Sequence, residues 1–172
     1  VIENAAQEPE IQDLACYLNA CGAQVSGIGT RELVIEGVED LHGTTYSIIS
    51  DRIEAATYGA AALATGGRVT LENAPGDYMK ASVEALRGAG ARTELFPDRL
   101  VVDAPARPRP TTLCTRPYPG FPTDVHPQMA AVLCLADGKS TITEQVHPDR
   151  FTHVDELNRL GADISREDNS AT

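Results

Sequence analysis

Val69-Thr70-Leu71-Glu72-Asn73-Ala74 reads as a short apolar strand ending in Glu-Asn-Ala, and it opens a plan that the chain repeats. The same strand end stands in Val1-Ile2-Glu3-Asn4-Ala5 and, more loosely, in Thr141-Ile142-Thr143-Glu144-Gln145. After each comes a helical pattern that closes on Gly-Ala, at Gly22-Ala23, Gly90-Ala91 and Gly161-Ala162. From the strand-end Glu to the closing Gly the separations are 19, 18 and 17 residues, and successive glycines lie 68 and 71 residues apart. A unit of about 70 residues recurs, and a repeat of that kind sets the architecture before any single element does.

Each helical segment carries an apolar stripe at three-four spacing: Ile11, Leu14, Ala15, Leu18 and Cys21; Met79, Val83 and Leu86; Val154, Leu157 and Leu160. The Gly after each stripe suits a left-handed C′ position, which a residue with a Cβ occupies at a cost. Short strand pairs follow, Gln24-Val25-Ser26 with Glu32 to Glu36 and Arg92 to Leu95 with Leu100 to Val102. Ahead of the second helix, Thr45-Tyr46-Ser47-Ile48-Ile49 reads as a strand, and Asp51 opens a helix over Ile53 to Thr65 that Gly66-Gly67 stops. Its counterpart is a strand over Thr111 to Thr115, a proline-rich turn, and a helix opened by Asp124 that ends at Asp137-Gly138. The repeating unit is therefore β-α-β-α-β-β. Ala56, Ala60 and Ala64 make one side of the Ile53 helix slim, which lets another helix approach closely and predicts an interior position.

Unit boundaries follow from this plan. Residues 1–36 end one domain, the Gly-flanked polar stretch 37–44 crosses to a second, and 45–104 is that domain's first unit. Residues 105–172 are its second unit, joined by a proline-rich extended path from Ala104 to Pro110. The polar tail from Arg166 stops where a closing strand is expected, so the last unit reads as truncated, and the start at Val1-Ile2-Glu3 reads as that of a fragment.

With 25 acidic against 14 basic residues the net charge is −11, which argues against a phosphate-backbone partner and hence against nucleic acid. Met129 to Ala136, the longest apolar stretch, falls far short of the roughly 20 residues of a membrane helix, so no membrane partner is expected. Cys16, Cys21, Cys114 and Cys134 lack Cys-x-x-Cys spacing and read as buried reduced thiols. His42, His126, His147 and His153 lack metal-ligand spacing as well. Neither a metal nor a cofactor is expected.

Candidate chemistry gathers between Phe121-Pro122-Thr123-Asp124 and Arg150-Phe151-Thr152-His153-Val154, where two turns set an acid and a base at element ends. An aspartate at a helix start is ordinarily a cap for orphan N–H groups, and Asp124 is open to that reading beside a general-base one. Arg150 at an element end is ordinarily solvated or ion-paired. Asp51 and Arg52 fit a cap and an ion pair, and Glu8-Pro9-Glu10 fits simple complementation of a positive helix N-terminus.

Four motifs in order, Glu3-Asn4-Ala5-Ala6-Gln7-Glu8-Pro9-Glu10-Ile11, Ser50-Asp51-Arg52-Ile53-Glu54, Gly120-Phe121-Pro122-Thr123-Asp124 and Asp149-Arg150-Phe151-Thr152-His153-Val154-Asp155-Glu156-Leu157, closely resemble the UDP-N-acetylglucosamine 1-carboxyvinyltransferase (enolpyruvyl transferase) family across the chain. The resemblance implies an inside-out α/β barrel with central helices and outer sheets, here incomplete. It implies transfer of enolpyruvyl from phosphoenolpyruvate to the 3-hydroxyl of UDP-N-acetylglucosamine, the first committed step of peptidoglycan synthesis, in the cytoplasm. By resemblance Asp124 is the proton acceptor, and Val146 contacts the sugar nucleotide through its backbone. Arg150 and Thr123 lie at the substrate site, and Glu8, Asp51 and Arg52 face the interdomain cleft. The family's cysteine loop, Lys-Asn pair and distal arginine find no counterpart, so none of the four cysteines is taken for the reactive one, and the stretch alone is expected to be inactive. Val125-His126-Pro127 departs from the family's more common Met-Gln-Ala; a proline in a first helical turn is tolerable because its N–H would lack a partner anyway. The related shikimate-pathway enolpyruvyl transferase shares the barrel, and a non-catalytic repeat scaffold satisfies the repeat alone. The Asn4-Ala5-Ala6 and Arg150 to Leu157 runs favour the sugar-nucleotide reading.

Overall fold

Strand, helix and hairpin recur three times, and in each recurrence the three strands pair antiparallel within a sheet of their own. The computed structural model describes all 172 residues and divides them into two units, Val1–Ser50 and Asp51–Thr172.

In the first unit, β1 (Ile2–Glu3), α1 (Pro9–Ala20), β2 (Gln24–Ser26) and β3 (Glu32–Glu36) give the strand order β1-β3-β2. Ile2 lies opposite Leu33, and Val25 opposite Ile35. Asn4, at φ 54°, turns the chain out of β1, and Pro9 starts α1 where its missing N–H costs nothing. The Asn19 side chain bonds both the N–H and the C=O of Val25 at 2.8 Å, pinning β2 to the helix. Of the predicted stripe, Ala15 and Cys21 are buried and Ile11 and Leu18 half-buried, while Leu14 stands 52% exposed because a narrow three-stranded sheet covers only part of the helix face. Thr45 to Ile49, predicted as a strand, forms none. A strand needs a ladder partner, and no strand pairs with this segment. Tyr46 instead donates to the Asp13 carboxylate at 2.8 Å and meets Tyr17 edge-on.

The second unit holds α2 (Arg52–Thr65), β4 (Arg68–Glu72), α3 (Lys80–Gly88), β5 (Arg92–Leu95) and β6 (Arg99–Asp103), followed by β7 (Thr112–Cys114), α4 (His126–Leu133), β8 (Thr141–Thr143), α5 (Thr152–Arg159), β9 (Arg166–Glu167) and β10 (Ser170–Ala171). Its sheets run β4-β6-β5 and β7-β8-β10-β9, the second adding β7 parallel to β8. The topology of the first unit is thus repeated twice. Helix α2 packs on α3 and α4 as well as on β4 and β6, the interior place its small residues predict. Ala56, Gly59 and Ala60 are buried, and a Cβ at Gly59 would fall 2.9 Å from Leu86 Cδ1. Leu63, Met79, Leu86, Leu100, Val102 and Met129 fill the shared core. Asp51 caps α2 by accepting from Ile53 N–H at 2.7 Å and Glu54 N–H at 3.1 Å, and Gly66 ends it at φ 65°.

Other expectations need correction. The polar tail is not strandless: β9 and β10 form a hairpin about Asp168, at φ 50°, and β10 pairs with β8, so the third sheet has its closing strands. Asp tolerates that backbone better than most residues, a turn signal hidden inside a polar run. Leu160 is 86% exposed, because α5 is only eight residues long and turns Leu157 to the shared core and Val154 to a small cluster with Phe151 and Ala171. The α4 helix ends at Leu133, and single turns carry the chain on to Ala136. All four cysteines are free; Cys21 is buried and Cys114 half-buried, but Cys16, in α1, and Cys134, just after α4, are exposed. The second unit is mixed α/β with no closed barrel, in keeping with the incomplete barrel expected from the sequence.

Candidate active site

Two connections of the third repeat, β7 to α4 and β8 to α5, converge on one carboxylate. The chain leaves β7 at Thr115, turns through Pro117 to Gly120, and enters a 3-10 turn over Thr123–Val125 that leads into α4. After β8 it continues one ladder bond further, with Glu144 N–H donating to Asn169 O at 2.7 Å, and then runs 145–151 into α5. Ile142 and Glu144, two residues apart, point to the same interior side, and both are buried.

Glu144 is wholly buried, and its side chain accepts five hydrogen bonds. Oε1 takes the Thr115 hydroxyl at 2.5 Å and the N–H groups of Val146 at 2.8 Å and His147 at 2.9 Å. Oε2 takes Thr123 Oγ1 at 2.8 Å and His126 Nδ1 at 3.1 Å. Burial pushes the carboxyl up, but the bonds from Thr115, His147 N–H, Thr123 and Val146 N–H outweigh it and hold the group at about 2. It is therefore an anion at neutral pH, satisfied by dipoles at every side.

That assignment fixes the neighbouring histidines. An ionised Glu144 makes His126 Nδ1 the protonated nitrogen, and Nε2, buried without a partner, carries the lone pair. Burial lowers the pKa of His126, with the Glu144 bond and charge opposing, and burial with the charges of His126 and Arg150 takes His153 down to about 4. The two rings meet edge to face at 4.7 Å, and His126 meets Phe151 edge-on at 5.2 Å. Arg166 lies over the Phe151 ring at 4.5 Å, so the β9–β10 hairpin braces the 145–151 connection.

Above this buried layer sits the acid and base pair. Arg150 Nη1 donates to Asp124 Oδ1 at 2.5 Å and to Thr123 Oγ1 at 3.3 Å. Thr123 thus links the buried Glu144 to the surface pair, donating to one and accepting from the other. Asp124 caps no helix: the 3-10 turn puts Val125 at the start of α4, which has no side-chain cap, and the Asp124 carboxylate turns to Arg150 instead. The Asp124 side chain is 49% exposed and that of Arg150 34%, so the pair contributes little to stability and leaves carboxylate lone pairs open to a hydroxyl donor.

Thr123, Asp124, Val146 and Arg150 are brought together by this arrangement. Asp51 is a helix cap, as the simpler reading has it. Arg52 is buried with its guanidinium 5.8 Å from the centre of the Tyr118 ring. Glu8 is the half-buried N-cap residue of α1, in the first unit, and makes no side-chain cap bond. Sequence reasoning passed over Glu144, His126 and His153. Glu144 served only as a repeat marker, since the donors that mark it as a buried centre are gathered from residues 115 to 147 only by folding.

Comparison with known proteins places the whole chain. Residues 1–172 match the family described as EPSP synthase (3-phosphoshikimate 1-carboxyvinyltransferase). The chain is similar to the UDP-N-acetylglucosamine 1-carboxyvinyltransferase of Novosphingobium aromaticivorans, 49% identical over 170 residues, which cover 99% of this chain and 40% of that protein. The enzyme of the same name from Thermotoga petrophila is 47% identical over 171 residues, 99% of this chain and 41% of its own length. The chain thus spans about 40% of the length of these curated relatives. Among solved structures it is similar to the enolpyruvyl transferase NikO from Streptomyces tendae, with a TM-score of 0.80 at 24% identity over 98% of this chain and 41% of that one. It also resembles an EPSP synthase from Acinetobacter baumannii, with a TM-score of 0.53 at 17% identity over 91% and 37%. At those identities the likeness establishes a shared α/β fold. With the repeat, the fold and a family match running from end to end, this chain belongs to the EPSP synthase (3-phosphoshikimate 1-carboxyvinyltransferase) family.

Proposed function

We propose that this chain contributes the proton-accepting wall of an enzyme that transfers enolpyruvyl from phosphoenolpyruvate to the 3-hydroxyl of UDP-N-acetylglucosamine. The observation that carries the reading is the half-exposed Asp124 carboxylate, held by Arg150 and spent on no helix cap. The names of relatives at 46–49% identity support the choice of sugar nucleotide. In the reaction the hydroxyl oxygen forms a bond to the enolpyruvyl carbon, the carbon–oxygen bond to phosphate breaks, and the hydroxyl proton passes to Asp124. A base within hydrogen-bond reach is what that step requires. Arg150 and Thr123 hold the carboxylate in place. The Val146 N–H is committed to Glu144, so its carbonyl is the backbone group left for the sugar nucleotide. Glu8, Asp51 and Arg52 are assigned to the cleft by resemblance alone.

On this reading residues 1–36 end one barrel domain, 37–44 cross to the next, and 45–104 and 105–172 are two of its units, completed by the rest of the enzyme. The reaction opens peptidoglycan synthesis, and its setting is the cytoplasm, with roles in cell wall formation, cell shape and division. No helix is long and apolar enough to cross a membrane. Phosphate release by the full-length protein, supplied with phosphoenolpyruvate and either UDP-N-acetylglucosamine or 3-phosphoshikimate, tests the assignment. Turnover with the sugar nucleotide alone is expected; turnover with 3-phosphoshikimate alone would overturn it in favour of the shikimate-type reaction.

A further inference from the structure

We infer that Glu144 is a positioning residue whose buried carboxylate, acting through Thr123 and the Val146–His147 backbone, sets the Asp124–Arg150 pair; the inference rests on the function proposed above. A buried charge with no surrounding dipoles would be costly, and here every bond that satisfies it comes from an element of the site. Thr115 ends β7, Thr123 and His126 flank Asp124, and Val146 and His147 begin the connection that carries Arg150. The β7–β8 ladder and the Thr115–Phe121 bridge bring these three chain segments side by side, and the one carboxylate ties their side chains and N–H groups to a common point. The surface pair, about half exposed, has too little burial to hold itself in one geometry. Thr123 is the single side chain that touches both levels, bonding Glu144 on one side and Arg150 on the other.

The test uses the full-length protein and the variants Thr123→Val, Thr123→Ser and Glu144→Gln. Thr123→Val keeps the shape but removes the hydroxyl relay, and turnover is expected to fall about 10²-fold, the scale of a misplaced reacting group. Thr123→Ser, which keeps the hydroxyl, should restore turnover to within a few-fold. Glu144→Gln presents an amide to five donors and should lower turnover at least as far; if it does not fold, Thr123→Val still decides. In an Asp124→Asn background, Thr123→Val should cost almost nothing further, since its effect runs through Asp124. A purely structural Glu144 network would lower the melting temperature, leave turnover per folded molecule unchanged and add fully to Asp124→Asn, and that result overturns the inference. A crystal structure of Thr123→Val judges it without turnover: the Asp124–Arg150 contact is lost if the inference holds and kept if it fails, whichever acceptor the enzyme uses.

Discussion

The second and third repeats share a sheet order and a closing glycine, yet one is devoted to packing and the other to a site. In the second, β4 alternates outward and inward until Glu72, which faces solvent, and Asn73 at φ 57° then turns the chain away. The following connection is sealed onto the β5–β6 hairpin: Gly76 N–H donates to Pro97 O, and a Cβ at Gly76 would collide with the Phe96 carbonyl. In the third, β8 runs one ladder bond further and Glu144 faces inward with Ile142. The connection that follows then wraps the carboxylate rather than a hairpin. A one-residue change of phase at the end of one strand thus converts a packing loop into a polar scaffold, because strand side chains alternate by face.

The most severe way to break that contrast is at the exposed end of the scaffold. Asp124→Asn keeps the shape but removes charge and basicity, and turnover of the full-length protein should fall about 10²–10⁴-fold. Its melting temperature should barely move, since Asp124 caps no helix and its ion pair is half exposed. Near-normal turnover would leave the fold intact and remove the proton-acceptor role. Next in size comes the packing of the two closing helices. Leu86 in α3 is 1% exposed whereas Leu160 after α5 is 86% exposed. Leu86→Ala should cost about 2–5 kcal/mol and Leu160→Ala within about 0.5 kcal/mol, read by denaturant unfolding. Equal losses would mean that the apolar stripe, rather than its burial, sets stability.

The repeat and most elements were legible because they rest on local signals: the three-four stripes, the Asp51 cap, the glycines at φ near +100°. What was not legible depends on partners distant in sequence. Thr45 to Ile49 has strand composition, but a strand exists only against another edge, and Tyr46 docks on α1 instead. The Asp168 hairpin was lost in a polar run whose strands are two residues each. At the site, Thr123, Asp124 and Arg150 could be named from motifs, but nothing local marks Glu144 as buried. Its five donors come from residues 115 to 147, and only folding gathers them. The helix start expected at Asp124 comes later, at His126, because the 3-10 turn that delays α4 leaves no mark in Thr123-Asp124-Val125.

A smaller difference between the repeats lies at their closing glycines. Gly90 and Gly161 take φ +103° and +101°, but a Cβ at Gly90 would meet Arg109 Cγ at 3.2 Å and Pro105 Cγ at 3.3 Å, whereas Gly161 has nothing within 4 Å. Both alanine substitutions carry the left-handed penalty of about 1–2 kcal/mol, and only Gly90→Ala adds crowding. Thermal unfolding of the two variants should therefore rank Gly90→Ala as the more destabilised. The reverse order would show that the Ala104 to Pro110 link yields freely.

The subtlest test is a change of slope with pH, and it belongs to the third repeat alone. His153 is held to about 4 by burial and by the charges of His126 and Arg150, with Glu144 opposing. A histidine whose folded value lies below its unfolded value near 6.5 is bound to a proton more readily when unfolded, so stability is full above that value and falls as pH drops toward 4. Burial moves His126 in the same direction, so it adds to the loss over that range. Glu144, held at about 2, loses its contribution only as pH falls from the ordinary carboxylate range toward that value. The two kinds of group therefore act in successive windows. His153→Phe removes one titrating ring while keeping an aromatic body beside Phe151, so unfolding free energy measured between pH 7 and pH 4 should fall less steeply than in the parent. The further loss below pH 4, which belongs to Glu144, should remain. If the two curves run parallel from pH 7 to pH 4, His153 is not held neutral by its surroundings, and the buried layer beneath the Asp124–Arg150 pair is wetter than its packing implies.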